Sequence, residues 1–583
     1  MSPVDEHRDD MTHVTLPGVG TVSSRVFLIA AVSIAALLRI AWAMRYGLSI
    51  EMEGAEYARI AESLLAGRGY VGVFNNGTQL NFPPLYPLLI AAVTFLIGNS
   101  EHAARVINVA FGAALVIPMF RIAQRLYGER VATSVAAMAV FHPALIAGGA
   151  SAYAEGPYLT LLISGVLWVM KWVEEYRPSA SAMAGIFFGL AYLVRPEAFL
   201  LVGVFAGCGL VAAILAQNRR AALQGVAGLT IAFLLVALPN IVFLTLSSGK
   251  LRIEAKGTLA YLWGSRINAG MSYEESTMGI GEDLSDQGVF MKPNLEVINS
   301  AAPTTREYFA FLLTGARRNI QALVIAIVAE RAFGSPCLFA LVILGLFGRV
   351  WGRQRVLFEA VLLLTIGTIL FVLFTVQALW FRYFYSLFGI LLIWGAKGAD
   401  NLYEWGRASI TSISAGSLMS DVFGRLLKWG SVATVLFLSL RATPYLDQFR
   451  ESLFPERVRA GRWIAAQSSD QPWIMDSGLQ VAYYAGGNFK SLPYASSDVA
   501  LRYIEKHKPD FIVLHSVGAA LPYVAEWLAE GIPDKRAVLV HTEDAAGVSA
   551  EPLPPKPSWT WFDQIKVYRW IGNSSGGLRP LQQ

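Results

Sequence analysis

Long apolar stretches, separated by short polar turns, run through most of the chain. A helix needs roughly 20 predominantly apolar residues to cross a bilayer, and by that length the pattern predicts about eleven transmembrane helices. They lie at 26–45, 104–126, 131–150, 157–173, 181–194, 197–216, 221–247, 333–351, 356–377, 381–397 and 427–443. We therefore expect a polytopic α-helical membrane protein.

One further apolar run, 82–98, is too short for a span. It begins with Pro83 and Pro84, and only about 14 residues after Leu85 are continuously apolar, which is more typical of an interfacial or re-entrant segment. We predict a juxtamembrane helix here and leave it out of the span count.

Basic residues in the turns predict which side of the membrane each turn faces. With the N-terminus inside and 82–98 uncounted, the strongly basic turns all fall on the cytoplasmic side, as the positive-inside rule requires. These turns contain the arginines and lysines of 121–130, 171–177, 219–220, 349–355 and 397–428. Counting 82–98 as a span would place Arg121–Arg130 outside and reverse every later turn.

This orientation divides the chain into three predicted parts. Residues 1–25 are a cytoplasmic tail, and 26–446 form the membrane domain with outer loops at 46–103 and 248–332. Residues 447–583 lie outside, where short β-like runs alternate with helical patterns. The β-like runs are 473–475, 511–514, 537–541 and 565–570, and the helical patterns are 455–467, 498–507 and 523–530. Such alternation indicates a small extracytoplasmic α/β domain.

Composition narrows the class of protein further. Hydrophobic residues make up 55% of the chain and charged residues 15%, whereas soluble proteins carry about 25% charged residues. The net charge of +5 reflects basic cytoplasmic turns, so we expect no nucleic-acid partner. The two cysteines, Cys208 and Cys337, lie in apolar runs, which excludes a disulfide framework and a CxxC metal site.

Acidic residues on the predicted outer side are candidates for chemistry. Glu53 and Glu56 lie at the start of a predicted amphipathic surface helix that includes Tyr57, and Glu155 follows the third span at the outer lip. A carboxylate at the membrane is costly unless it faces water or a partner. The simpler interpretation is that these acids are charges at helix N-termini, which the helix dipole favours.

Two arginines are predicted on the same side. Arg195 lies with Glu197 in a turn between two spans, and Arg382 lies beside Tyr383 at the outer end of another. Simpler interpretations are an Arg195–Glu197 structural contact and an Arg382 that reaches to lipid headgroups. Carboxylates and arginines together fit one reaction, in which a carboxylate acts as base on an acceptor hydroxyl and arginines hold a phosphate leaving group.

An ordered set of motifs extends over most of residues 26–400. These are Glu53-Gly54-Ala55-Glu56-Tyr57, Phe82-Pro83-Pro84-Leu85-Tyr86-Pro87, Ala103-Ala104-Arg105, Glu155-Gly156-Pro157, Leu193-Val194-Arg195-Pro196-Glu197 and Arg382-Tyr383. The set resembles GT-C glycosyltransferases of the protein O-mannosyltransferase and aminoarabinose transferase superfamily. More narrowly, it resembles the bacterial galacturonosyltransferase-like branch. The stretch 481–487 also resembles the periplasmic domain of that family.

The resemblance implies transfer of a sugar from a polyprenyl phosphate to an outer-face acceptor, usually with inversion. It implies that Glu53 is the base and that Glu155 supports the site. Contacts with the donor phosphate are expected from Tyr86, Arg195 and Arg382, and Tyr57, Glu197 and Tyr383 are further candidates for substrate binding. Many relatives have Asp, often followed by a second acid, where this chain has Glu53 and Gly54. Glu56, one helical turn on, is therefore an alternative base. No metal ligand is assigned, although the enzyme could use a divalent cation as a cofactor.

The sequence thus predicts a GT-C-like membrane glycosyltransferase of the bacterial inner membrane. Its acceptor would be lipopolysaccharide, another envelope lipid, a polysaccharide or a protein, and its other partner is membrane lipid. The alternative is a transporter or flippase of lipid-linked sugars. Transporters tend to show paired halves with broken helices near the midplane, whereas this chain has no apparent internal repeat and its candidate charges cluster at the outer lip.

Overall fold

A computed structural model describes residues 13–16, 20–47, 49–50, 52–74, 76–215, 219–300, 303–328, 336–375, 381–412, 417–441, 455–468, 470–515, 520–544 and 564–571. Most of the predicted cytoplasmic tail and the Pro-rich stretch 552–557 lie outside these residues. Where the tail is described, it forms an antiparallel hairpin of β1 (His13–Leu16) and β2 (Gly20–Ser23) just before the first helix.

Helices account for most of the remaining described residues up to 441. In the first part they are α1 (Ser24–Tyr46), α2 (Met52–Leu65), α3 (Leu85–Ile97), α4 (Ser100–Ala114), α5 (Val116–Tyr127), α6 (Glu129–Phe141), α7 (Pro143–Gly148), α8 (Glu155–Glu175), α9 (Pro178–Tyr192), α10 (Phe199–Leu215) and α11 (Arg219–Ser248). In the second part they are α12 (Lys256–Asn268), α13 (Tyr273–Met278), α14 (Asn294–Asn299), α15 (Thr305–Val328), α16 (Cys337–Phe347), α17 (Arg353–Thr375), α18 (Tyr385–Ser412) and α19 (Ser417–Arg441). Short 3-10 turns at Pro196–Ala198 and Phe381–Phe384 precede α10 and α18.

Seven helical stretches within the described residues are long and apolar enough to cross a membrane. They are Ser24–Tyr46, Ser100–Tyr127, Glu155–Glu175, Pro196–Ile214, Arg219–Ser248, Arg353–Thr375 and Leu418–Arg441. Each overlaps a predicted span, so the polytopic helical class is confirmed. The run 82–98 contains the 13-residue helix α3, which at 1.5 Å per residue is about 20 Å long and shorter than the ~30 Å hydrocarbon core.

One of the other predicted spans is divided into two helices. The run 131–150 is split into α6 and α7 because Pro143 follows an extended His142 and opens a new helix. Proline lacks the N–H that would continue the first helix.

The outer loop predicted at 248–332 is largely helical, and its 24-residue helix α15 carries Arg306, Arg317 and Arg318. Those charges explain why its sequence does not resemble a span.

The C-terminal part is a small sheet domain, as predicted. Its strands are β3 (Trp473–Asp476), β4 (Asn488–Ser491), β5 (Phe511–His515), β6 (Ala537–Asp544) and β7 (Gln564–Trp570), and its helices are α20 (Pro455–Gln467), α21 (Gln480–Tyr484), α22 (Ser497–His507) and α23 (Val524–Glu530). The strand order is β4-β3-β5-β7-β6, with β4, β3 and β5 parallel and β7 antiparallel to both its neighbours. Strand β4 is short and largely polar, so the sequence pattern did not indicate it.

The chain divides into two compact units. The first, here the helical unit, comprises Met1–Tyr46, Arg105–Asn240 and Gly315–Arg450. The second, the mixed unit, comprises Gly47–Ala104, Ile241–Thr314 and Glu451–Gln583. The three segments of the mixed unit nearly coincide with those that loop charge predicts on the outer side, although the sequence grouped two of them with the membrane domain.

Within the mixed unit, helix α2 packs against the sheet domain. The Arg59 guanidinium donates to the carbonyl oxygen atoms of Tyr483 and Gly486 at 2.9 and 3.3 Å, and the Tyr484 hydroxyl accepts from the Ile50 amide at 2.6 Å. The stretch 481–487 therefore connects the sheet domain to the first predicted outer loop.

Candidate active site

The predicted site residues fall into both units, and each group has its own geometry. Glu53, Glu56, Tyr57 and Tyr86 belong to the mixed unit. Glu155, Arg195, Glu197, Arg382 and Tyr383 belong to the helical unit.

Glu53 lies in the first turn of α2 with a partly exposed side chain. The helix begins at Met52, whose φ of 22° is a left-handed backbone value that side chains rarely adopt. An acid in the first turn is favoured by the helix dipole. Glu53 therefore combines a defined position with access to solvent.

Glu56, three residues later, is fully buried. One carboxylate oxygen atom accepts from the Val73 and Phe74 amides at 2.6 and 3.3 Å, and the other accepts from the Gln79 side chain at 2.7 Å. Burial raises the pKa of Glu56 above its usual range, and these hydrogen bonds oppose the rise. A Cβ added at Gly72 would lie 1.8 Å from the carboxylate, so the loop after α2 closes directly over this acid.

Tyr57 and Tyr86 pack inside the pair formed by α2 and α3. The Tyr57 ring meets the rings of Phe82 and Tyr86 edge-on, with centroids 5.0 Å apart in both cases. The Tyr86 hydroxyl is buried and donates to the Ala104 carbonyl at 3.2 Å. This arrangement accounts for both tyrosines as packing residues, and their contact with a donor stays a prediction.

The other five predicted residues meet in one cluster, here the arginine cluster. Arg195 Nε lies 2.6 Å from Glu197 Oε1, and Arg195 Nη1 lies 3.4 Å from Glu155 Oε1. Arg382 Nη1 approaches the same Glu155 oxygen atom at 4.0 Å. Three segments far apart in sequence thus bring two carboxylates and two guanidinium groups together.

Aromatic rings surround the guanidinium groups of this cluster. Arg195 stacks on the rings of Tyr158 and Tyr383, each at 5.3 Å. Arg382 lies over Tyr153 at 4.7 Å and over Tyr383 at 5.3 Å. Because cation–π contacts strengthen when the groups are desolvated, the tyrosines hold both arginines in position. Tyr383 belongs to a motif that the sequence shows, whereas Tyr153 and Tyr158 are ordinary tyrosines near a helix start and could not be identified from the sequence.

Asn108 holds the segment that presents Glu155. Its buried side-chain amide donates to the carbonyl oxygen atoms of Gly148 and Ser151 at 2.9 and 2.6 Å and accepts from the Gly156 amide at 3.0 Å. A Cβ at Gly156 would lie 2.1 Å from the Asn108 oxygen atom. Asn108 could not be identified from the sequence, because a single asparagine within an apolar span belongs to no motif.

The acidic side chains do not form a metal-binding set. Within the described residues, no group of three or more His, Cys, Asp or Glu side chains could hold a metal ion. Glu155 and Glu197 face arginines, and the Glu56 carboxylate faces hydrogen-bond donors. Among the described residues, these acids therefore do not offer the ligand set of a divalent cation.

Comparisons with known proteins give a family match over part of the chain and solved structures of similar fold. Residues 81–243 match the sequence family described as dolichyl-phosphate-mannose-protein mannosyltransferase. No curated protein matches the chain at a significant level. The family match covers the segments that carry Tyr86, Glu155, Arg195 and Glu197.

Solved structures share the fold. The archaeal oligosaccharyltransferase AglB from Archaeoglobus fulgidus, in complex with an inhibitory peptide and a dolichol-phosphate, is 13% identical with a TM-score of 0.57, over 91% of this chain and 75% of that one. ArnT from Cupriavidus metallidurans, bound to undecaprenyl phosphate, is 13% identical with a TM-score of 0.54, over 96% of this chain and all (100%) of that one. This chain is therefore similar to dolichyl-phosphate-mannose-protein mannosyltransferases over residues 81–243 and shares its overall fold with AglB and ArnT.

Proposed function

We propose that this protein transfers a sugar from a polyprenyl-phosphate donor to a cell-envelope acceptor on the outer face of a bacterial inner membrane. The observation that carries the proposal is the arginine cluster, in which Arg195 and Arg382 are held by tyrosine rings beside two carboxylates. Binding of undecaprenyl phosphate and dolichol-phosphate by the two similar structures supports a lipid-linked donor.

The guanidinium groups suit a phosphate ligand. Arginine presents a planar fork of donors that matches phosphate oxygen atoms, and charge-assisted bonds of this kind are stronger than neutral ones. Glu155 contacts the two arginines at 3.4 and 4.0 Å, which is longer than the 2.7–2.9 Å of a tight charge-assisted bond. A donor phosphate can therefore take over these donors, while the shorter Glu197 contact at 2.6 Å keeps Arg195 oriented.

The reaction follows from these roles. The hydroxyl oxygen atom of the acceptor forms a bond to the anomeric carbon of the sugar, and Glu53 accepts the proton of that hydroxyl. The bond from that carbon to the phosphate oxygen atom breaks, and the electron pair leaves on the polyprenyl phosphate, whose charge the arginines stabilise. Attack from the side opposite the phosphate gives inversion. Glu155 acts as a positioning residue for both arginines.

We assign the base to Glu53 in preference to Glu56. Both oxygen atoms of Glu56 already accept hydrogen bonds, and its side chain is fully buried. A general base must come within hydrogen-bond reach of the proton it removes. The partly exposed side chain of Glu53 meets that requirement more directly.

The test is transfer activity of Glu53→Gln, with a polyprenyl-phosphate sugar and an envelope-glycan extract from a deletion strain as acceptor. We expect a loss of about 10²-fold or more, since removal of general-base catalysis costs about 10²–10⁴-fold. Full activity in a well-folded Glu53→Gln protein would remove Glu53 from the mechanism.

A second pair of variants tests the donor site. Arg382→Ala should weaken donor binding, and Arg382→Lys, which keeps the charge but lacks the planar fork, should recover only part of it.

If the deletion strain loses no envelope sugar, and purified protein moves lipid-linked sugar across liposome membranes without transfer, the flippase alternative is favoured instead.

A further inference from the structure

The helical unit contains a groove that shares no residue with the arginine cluster. It lies among α1, α6 and α19 and encloses a cavity of about 660 Å³. On α1 it is lined by Phe27, Ala30, Ala31 and Ile34, a spacing that places all four on one helical face. On α6 the lining positions from 129 to 141 follow the same three- and four-residue spacing.

The two ends of this groove differ in polarity. Along α6 the lining passes from Arg130 to the apolar Val140 and Phe141. Arg425 and Lys428, near the start of α19, also line it, together with the single acid Glu129. One end is therefore cationic, and the remaining wall is largely apolar.

Acids outside the groove lining pair with these cations. Arg130 contacts Asp400 and Glu404, Lys428 contacts Asp400, and Arg425 contacts Asp421. The side chains of Arg130 and Arg425 stay 47% and 50% exposed. Lys428 is only 5% exposed, so Arg130 and Arg425 are the two cations that present guanidinium surface in the groove, and that surface is complementary to an anionic group.

The length of the groove along α6 matches the length of a lipid acyl chain within one leaflet of the bilayer. Eleven residues separate Arg130 from Phe141, which is about 17 Å along a helix. Half of a ~30 Å hydrocarbon core is about 15 Å. A chain that starts at the cationic end would therefore reach about the middle of the bilayer.

We propose that this groove binds an anionic phospholipid, with its phosphate at Arg130 and Arg425 and an acyl chain between α1 and α6. The turns that contain these cations belong to the side that loop charge predicts to be cytoplasmic, where anionic lipid headgroups attract basic residues. The site is separate from the proposed transferase chemistry.

The test uses the full-length protein purified in detergent, with thermal unfolding followed during titration with phosphatidylglycerol or, as a neutral reference, phosphatidylcholine. We expect phosphatidylglycerol to raise the unfolding temperature by a few degrees and phosphatidylcholine to have little effect, because a ligand that binds only the folded state stabilises it. Equal shifts with both lipids would overturn the proposal.

Two matched pairs of variants locate the effect. Ala137→Trp fills the groove and should abolish the shift, whereas Ala212→Trp, on the exposed surface of α10, should retain it. Arg425→Gln should weaken phosphatidylglycerol binding several-fold, whereas Arg441→Gln, at the far end of α19, should not.

Native mass spectrometry of the same proteins provides a second readout that does not depend on stability. One phosphatidylglycerol retained by the native protein and by Ala212→Trp, but lost from Ala137→Trp, is the expected result. Retention by Ala137→Trp, or occupancy of the groove by undecaprenyl phosphate in preference to phosphatidylglycerol, would overturn the assignment.

Discussion

Glu53 and Glu56 lie on adjacent turns of α2 but have different surroundings. Glu53 is partly exposed, whereas Glu56 is buried beneath Gly72 and accepts hydrogen bonds on both oxygen atoms. From residue spacing alone, either acid could be the general base. The difference between them comes from the loop after α2, which folds back over one acid only.

The two acids should respond differently to the same substitution. Glu56→Gln places an NH2 group among buried donors and leaves one of them unpaired, which costs about 1–3 kcal/mol of unfolding free energy. Glu53→Gln should cost less stability than Glu56→Gln, because the Glu53 side chain is partly exposed whereas that of Glu56 is fully buried. Thermal unfolding of both variants measures this, and an equal loss of stability would contradict the structural role of Glu56.

The surroundings of His515 lead to a second prediction for a single residue. It ends β5, and its Nε2 lies 2.8 Å from Oδ1 of Asp476, which ends the neighbouring strand β3. Burial lowers the pKa of His515 below its usual value, and the Asp476 charge only partly offsets this. The folded protein therefore holds this imidazole in its neutral form more strongly than the unfolded chain does.

The sign of the pH dependence follows from that lowered pKa. The neutral imidazole contributes stability that is present above an unfolded pKa of about 6.5 and is lost as pH falls through the folded pKa. Between about pH 7.5 and 5, the unfolding temperature of the native protein should fall more than that of His515→Gln. Parallel pH profiles would show that His515 does not titrate in this way.

At the scale of elements, the start of α8 decides where Glu155 lies. Asn108 on α4 binds two carbonyl groups before α8 and the Gly156 amide within it. The arginine cluster therefore depends on contact between two helices, as well as on the residues that form it. A change at this contact should affect transfer without removing any charged group.

Gly156→Ala tests this dependence. The added Cβ would lie 2.1 Å from the Asn108 side chain and 3.1 Å from its carbonyl oxygen atom, so the start of α8 must shift. We expect transfer to fall at least tenfold, because misplacement of positioning groups by about 1 Å can cost 10²-fold. Gly207→Ala on α10, where a Cβ would meet nothing within 4 Å, is the control and should stay active.

At the scale of the whole molecule, the predicted membrane topology can be tested directly. Loop charge predicts that the sheet domain is extracytoplasmic and that the segment around 407–425 is cytoplasmic. Alkaline phosphatase, which is active only outside the cytoplasm, should be active when fused after residue 571 and inactive when fused within 413–416. The reverse pattern would invert the proposed topology and the face on which transfer occurs.

The sequence by itself determined the helical membrane class, the shortness of 82–98 and the sheet domain. These depend on local patterns, because apolar length decides what can span a bilayer and alternation decides strands and helices. Helix α20 has the bounds that its pattern predicted, 455–467. The split at Pro143 and the helix α15 were missed, since a proline break and charges within a long helix both obscure the apolar pattern.

Only the tertiary structure decided which residues meet. Arg195 and Arg382 are 187 positions apart in the chain, and helix packing brings both to Glu155. The burial of Glu56, the anchoring by Asn108 and the groove beside α6 likewise arise between elements. Sequence patterns record the face that a residue occupies on its own helix, whereas its partners depend on how the helices pack.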